Sequence, residues 1–107
     1  MENFKESLFP LSYPPKNNEC KPVENITEEV KKLAKEVEDF PNQIKILQST
    51  RCIGETELGL STFFVLIVYE EDGIVKEYWD LECCTTNNTV KYMLSEIAKR
   101  YRRKYGI

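Results

Sequence analysis

The most hydrophobic stretch of this chain, residues 61 to 70, is apolar at consecutive positions rather than at alternate ones. A strand with this pattern carries apolar side chains on both faces, so both faces need cover. We expect helices to cover one face. The N-terminal residues, a second copy of the chain or a partner protein would then cover the other.

A capping box predicts where the first helix begins. Asn25 is a good N-cap, and Glu28 follows it three residues later, so that side-chain and backbone groups satisfy each other. The apolar positions recur at steps of four and three, which is typical of one helical face; they are Ile26, Val30, Leu33, Val37 and Phe40. Pro41 ends the predicted helix.

Three strands follow in the predicted order. Residues 42 to 53 alternate loosely and predict a first strand, and residues 61 to 70 form the second. Asp72-Gly73 is a strong signal for a two-residue hairpin turn, because a type I′ turn needs a positive φ at both central residues. The third strand then runs from Ile74 to about Cys83.

The register of this hairpin divides the second and third strands into two faces. The face that we expect to form the core comprises Phe64, Leu66, Val68, Trp79 and Leu81. The other face is the candidate protein interface and comprises Phe63, Val65, Ile67, Tyr69 and Tyr78. Left open, these five side chains would form an apolar patch of the size that usually marks a binding site.

Residues 85 to 89 offer several N-caps for a second helix with one apolar stripe, formed by Val90, Leu94, Ile97, Tyr101 and Tyr105. The predicted fold class is therefore α+β, with a three-stranded antiparallel sheet between two helices (α-β-β-β-α). Residues 25–107 form the predicted single domain. Residues 1–24, with four of the five prolines, form an extended N-terminal arm that lies along a sheet face or docks to another protein.

The order helix, three strands, helix is similar to the fold of the double-stranded RNA-binding domain, over residues 25 to 105. That family carries a lysine-rich cluster at the start of its second helix, where it contacts phosphates. Here the helix opens with Thr89-Val90-Lys91 and has its cations at the far end. The family's histidine-bearing loop is also missing, so the resemblance implies a fold and no RNA-contacting residues.

Charge is unevenly distributed along the chain. The 107 residues carry a net charge of −3, but residues 61 to 86 are strongly acidic and the last helix is strongly basic. The basic cluster is the candidate nucleic-acid-binding site and comprises Lys99, Arg100, Arg102, Arg103 and Lys104. Cations at a helix C-terminus also complement the helix dipole, so both interpretations remain open.

The absence of histidine excludes histidine-dependent nucleophiles, general bases and metal sites, and no glycine-rich phosphate-binding motif occurs. We therefore predict no enzymatic activity, no cofactor and no metal. Asp80 and Glu82 lie on one strand face with the Asp-x-Glu spacing, which a solvated sheet face explains better than a Mg²⁺ site. The four cysteines lack zinc-ligand spacing; we expect thiols, mostly in the core, although the sequence does not decide between thiols and a disulfide.

The leading hypothesis is a small non-enzymatic protein-interaction module, such as an assembly subunit, adaptor or inhibitor, which uses the second sheet face and the N-terminal arm. Its expected partner is another protein or a second copy. Nucleic-acid binding through the last helix is the alternative. No small-molecule substrate is indicated. The N-terminus lacks a cationic start followed by an apolar core, and no apolar run is long enough to span a membrane, so we expect a cytoplasmic location.

Overall fold

The computed structural model describes residues 11 to 106, and in it two helices cover one face of a four-stranded antiparallel sheet. A short 3₁₀ turn at Lys16–Asn18 precedes the sheet. The elements are β1 (Cys20–Asn25), α1 (Thr27–Glu36), β2 (Ile44–Glu55), β3 (Ser61–Glu71), β4 (Ile74–Leu81) and α2 (Thr86–Tyr105). The strands lie in chain order from β1 to β4. The predicted α+β class is confirmed, but the sheet has four strands rather than three.

The additional strand, β1, comes from the segment that we predicted to be an extended arm. It pairs antiparallel with β2 from Cys20 opposite Gly54 to Asn25 opposite Thr50, with a bulge after Pro22. The sequence hid this strand because proline is uncommon in strands, although an edge strand at a bulge tolerates it. The order is therefore β-α-β-β-β-α, which departs from the RNA-binding-domain resemblance at its first element.

The hairpin between β3 and β4 has the predicted turn and register. Asp72 and Gly73 both have positive φ, at 52° and 86°, as a type I′ turn requires. Leu66 lies opposite Trp79, and Ile67 lies opposite Tyr78. The sequence therefore predicted correctly which residues share a face of the sheet.

The prediction of which face forms the core was wrong. Val65 and Ile67 are fully buried, and Tyr69 and Tyr78 are each only 2% exposed. All four pack in the main core with residues of both helices. Phe63 is half-buried beneath the Arg51 guanidinium, 3.9 Å from the ring centre. The two faces were reversed because both are apolar on β3, so hydrophobicity alone could not identify the face that the helices cover.

Both helices begin and end through local hydrogen bonds. Asn25 Oδ1 accepts from Thr27 N at 3.0 Å, but the N-cap of α1 is Ile26, whose side chain makes no capping bond, so the predicted cap lies one residue before the observed one. Thr85 Oγ1 accepts from Asn88 N at 3.1 Å at the start of α2. Gly106, with a φ of 67°, ends α2 in the left-handed conformation. The first helix ends at Glu36, earlier than the proline signal predicted.

Candidate protein-binding surfaces

The sheet face that points away from the helices is partly covered by the N-terminal arm. Tyr13 N donates to Trp79 O at 2.8 Å, and Trp79 N donates to Ser12 Oγ at 3.2 Å. These two bonds fasten the arm to the free edge of β4. The described part of the predicted arm thus lies along the sheet, while residues 1 to 10 lie outside the described residues.

Pro15 covers one half of this outer face. It is fully buried, and a Cβ at Gly54 would come within 2.8 Å of Pro15 Cβ and 3.2 Å of Phe64 Cδ1. The arm therefore crosses from β4 to the β1 side directly above Gly54, where only glycine leaves enough room. This contact leaves Phe64 2% exposed.

The other half of the outer face remains open in the described part of the chain. We call it the outer patch; it comprises Leu66, Val68, Val75, Trp79 and Leu81, which the register places on one face. Val75 is 60% exposed and Leu81 is 42% exposed, whereas the other three are half-buried. Two carboxylates lie on this same face: Glu70 is directly opposite Val75, and Glu77 is directly opposite Val68. The outer patch is thus an apolar surface with an acidic border.

A second surface lies at the opposite edge of the sheet, where an open groove of about 750 Å³ separates α1 from the beginning of β2. We call it the α1–β2 groove. Its apolar lining is formed by Ala34, Val37, Phe40, Ile44, Ile46 and Leu47. Lys31, Lys35 and Lys45 also line it, together with Asp39. Sequence reasoning missed this groove because its open edge exists only where β1 stops pairing with β2.

The predicted nucleic-acid-binding cations lie at the end of α2, but several of them contact protein groups. Lys99 Nζ lies 3.9 Å from Glu96 Oε2. Arg102 Nη1 donates to the backbone oxygen of Asp39 at 3.1 Å. Arg100 is half-buried and Arg103 is exposed. The helix end is therefore tied in part to the rest of the domain.

Lys104, the last of the predicted cations, contacts a buried carboxylate. Its Nζ lies 3.4 Å from Glu71 Oε2, which Lys76 also approaches to 3.2 Å. The hydrogen bond with Glu71 raises the pKa of the Lys104 ammonium. Nearby, Tyr101 OH donates to Asp72 Oδ1 at 3.2 Å. These contacts fasten the end of α2 to the β3–β4 hairpin.

The two carboxylates considered for a metal site lie in different surroundings. Glu82 forms a bidentate ion pair with Arg51, with 2.7 Å from Nε to Oε1 and 3.2 Å from Nη2 to Oε2. Asp80 is half-buried, and burial raises the pKa of its carboxyl group. Among residues 11 to 106, no three metal-ligating side chains lie close enough together to hold an ion.

The cysteines divide into two pairs, contrary to the expectation of thiols mostly in the core. Cys20 and Cys52 form a disulfide between β1 and β2. Cys83 and Cys84 are exposed free thiols, with their sulfurs 3.8 Å apart. The hydrogen bond with Cys84 raises the pKa of the Cys83 thiol, which lowers its thiolate fraction near neutral pH. Nothing in this arrangement activates a nucleophile.

Comparison with other proteins adds no functional information, because the chain matches no family model, no curated protein and no solved structure. Over the part of the chain that the structure describes, neither helix is long and apolar enough to cross a membrane. The geometry of the outer patch and the α1–β2 groove is therefore the basis for assigning a role.

Proposed function

We propose that this chain is a small non-enzymatic protein-binding module that docks a partner protein on the outer patch. The observation that carries the proposal is the half-covered outer face. The arm buries Phe64 beneath Pro15, whereas Val75 on the same face is 60% exposed. Contiguous exposed apolar surface of this kind is typical of interaction sites.

Charge around the outer patch indicates the chemistry of the partner. Glu70 and Glu77 border it on the same face, with Lys45 of β2 opposite Glu70; the border is acidic on balance, so a complementary surface has an apolar centre flanked by lysine or arginine. In a twofold dimer through this patch, Glu70 and Glu77 of both copies would lie in one interface, and their like charges would repel. We therefore propose a different protein as the partner, in place of the homodimer that the sequence left open.

Site-specific photo-crosslinking in the native host tests this proposal. A benzoylphenylalanine at Val75 lies within the outer patch, and one at Ile74 serves as the matched control. The two positions are adjacent on β4 and similarly exposed, at 60% and 62%, but their side chains point to opposite faces. We expect a discrete covalent adduct from position 75 and none from position 74.

Four outcomes would contradict all or part of the proposal. Equal crosslinking from both positions, or none from position 75, would mean that the outer patch is not a docking site. An adduct of twice the chain mass would identify a second copy as the occupant and overturn the choice of partner. If the adduct still forms when Glu70 and Glu77 are changed to lysine, the partner does not need the acidic border.

Nucleic-acid binding through the last helix stays a prediction, and no contact of the described residues favours it. Lys99, Arg102 and Lys104 each contact an acidic side chain or a backbone oxygen. Binding that depends on phosphate neutralisation weakens steeply as salt rises. Titration of a labelled oligonucleotide at two salt concentrations tests this alternative. Nucleic-acid binding should weaken at the higher salt concentration and in the Arg103→Glu variant, whereas docking on the outer patch should not depend on Arg103.

The predicted cytoplasmic location also stays a prediction, and the Cys20–Cys52 disulfide weighs against it. Disulfides persist in oxidising compartments and are rare in the cytosol. Alkylation of living cells before lysis, followed by mass measurement of the chain, distinguishes the two cases. Two modified cysteines indicate an oxidising compartment, whereas four indicate that the bond is reduced where the protein works.

A further inference from the structure

We infer that the α1–β2 groove binds an extended acidic peptide, which adds a strand to the free edge of β2 and places alternate apolar side chains against α1. This is a second binding site, separate from the outer patch. It depends on three features of the groove: an unpaired strand edge, an apolar lining and a cationic rim.

The unpaired edge arises because β1 is too short to cover all of β2. The chain leaves the sheet at Asn25, opposite Thr50. One residue further on, Ser49 N donates to Thr27 Oγ1 and Ser49 O accepts from Ile26 N, both at 3.0 Å. Within residues 11 to 106, no strand pairs with Ile44–Gln48 on this side. Ile44 N already donates to Pro41 O at 3.2 Å, so the open edge is Lys45–Gln48, which is about 14 Å long and enough for about four residues of an added strand.

The apolar lining of the groove is formed by side chains of β2 and α1 next to this open edge. Ile44 and Ile46 point from β2 toward the helices, and Ala34 faces them from α1. Phe40 and Leu47 extend the same surface, and Leu47 is 40% exposed. A groove between a strand edge and a helix is the usual site for peptides that bind by strand addition, because side chains at alternate positions of the peptide enter it.

The rim favours a negatively charged occupant. Lys31 and Lys35 lie one helical turn apart on α1, and Lys45 stands on β2 opposite Glu70. Asp39 is the only carboxylate among the residues that line the groove. Within the described residues no ion pair engages Lys35 or Lys45, and the contact of Lys31 with Glu28 is 3.9 Å long and exposed. Carboxylates on the peptide would thus meet cations that are available.

The same features argue against a second copy as the occupant. Antiparallel pairing of two β2 edges would bring Lys45 of each copy close to the other, and like charges across strands are unfavourable. Leu47 forms a bulge on this edge, since the register with β3 shifts between Ile46 and Gln48. The bulge shortens the regular edge for any occupant, whereas a lysine on the edge disfavours only a strand of like charge. A partner must therefore supply complementary charge.

Three fluorescent heptapeptides test this inference on the intact chain. Valine and phenylalanine alternate with glutamate in the first, with lysine in the second and with serine in the third. We expect the glutamate peptide to bind most tightly, by about tenfold over the lysine peptide. A fourth peptide, the glutamate sequence with N-methylated backbone amides, cannot form the strand hydrogen bonds and should bind at least as weakly as the lysine peptide.

A matched pair of variants locates the binding. Lys31→Glu with Lys35→Glu should weaken binding of the glutamate peptide about tenfold, because two attractions become repulsions. Lys32→Glu makes one such charge reversal on the same helix, but Lys32 does not line the groove, so the affinity of this variant should stay within about twofold of wild type, whereas Lys35→Glu alone should weaken binding more than that. Val75→Glu lies on the outer patch and should leave peptide affinity unchanged.

Several results would overturn the inference. They are failure of the glutamate peptide to bind, equal binding of the lysine or N-methylated peptide, and equal losses in the Lys31/Lys35 and Lys32 variants. The crosslink at Val75 tests the outer patch, and the affinity of the peptide tests the α1–β2 groove. Either proposal can therefore be contradicted while the other stands.

Discussion

Cys20 and Cys52 join β1 to β2 on the face opposite the helices, with their Cα atoms 5.6 Å apart. In the register of the two strands, Cys20 lies opposite Gly54 and Cys52 lies opposite Pro22, so the two cysteines are diagonal neighbours. The bond fixes the edge strand and, through it, the end of the arm that carries Pro15.

The first prediction concerns removal of this bond. The crosslink spans 32 residues of sequence, and closing a loop of that length in the unfolded chain corresponds to about 3.7 kcal/mol of stability in the chain-entropy model. Cys20→Ser with Cys52→Ser should therefore lower the free energy of unfolding in urea by about 2 to 4 kcal/mol.

Removal of the two exposed thiols is the control for this experiment. Cys83→Ser with Cys84→Ser leaves the disulfide intact and should change the free energy of unfolding by less than about 0.5 kcal/mol. Equal effects of the two double variants would show that the Cys20–Cys52 bond does not stabilise the fold.

A second prediction concerns the close approach of the arm to the sheet. Gly54→Ala places a methyl group against Pro15 Cβ and the backbone oxygen of Glu19, at 2.8 and 3.0 Å. Overpacking of this kind costs about 1 to 3 kcal/mol of unfolding free energy. In the double variant with Pro15→Gly, the smaller residue removes the closest contact, so the two changes should cost less than their sum. Additive costs would mean that the arm does not pack on Gly54 in solution.

Strands β3 and β4 show which parts of this fold the sequence could predict. Asp72-Gly73 defined the turn and the register, because positive φ at two consecutive residues is a local property. The identity of the core face is not local. It depends on where α1 and α2 pack, and Val65 and Phe64 are equally apolar. The predicted interface of Phe63, Val65, Ile67, Tyr69 and Tyr78 was placed on the wrong face for that reason.

The two candidate surfaces depended even more on tertiary structure. Val75 and Trp79 belong to the outer patch only because the helices cover the other face. The α1–β2 groove is open only because β1 pairs no further than Thr50, and β1 itself was hidden by Pro22. The sequence contains Lys31 and Lys35, but only the structure places them beside the open edge of β2.

A third prediction concerns the ion pair between Arg51 and Glu82. The side chains are only 21% and 12% exposed, so Glu82→Gln leaves a poorly solvated guanidinium without its carboxylate and should cost about 1 to 3 kcal/mol of unfolding free energy. The pair between Lys16 and Glu55 provides the control, because it is 3.9 Å long and its side chains are 44% and 55% exposed. Glu55→Gln should cost less than about 1 kcal/mol; a cost equal to that of Glu82→Gln would contradict the argument.

The last prediction concerns ionisation of Tyr69 on the helix-covered face. Burial raises the pKa of its phenol from 10.0 to about 12, because the core disfavours the phenolate. The stability that depends on the neutral phenol is complete below pH 10 and is lost as the pH rises toward 12. Above pH 10, the free energy of unfolding of the Tyr69→Phe variant should therefore fall less steeply with pH than that of the wild type. Near-ultraviolet absorbance of phenolate follows the same event, and a Tyr69 phenolate that forms near pH 10 in the folded chain would place this ring outside the core.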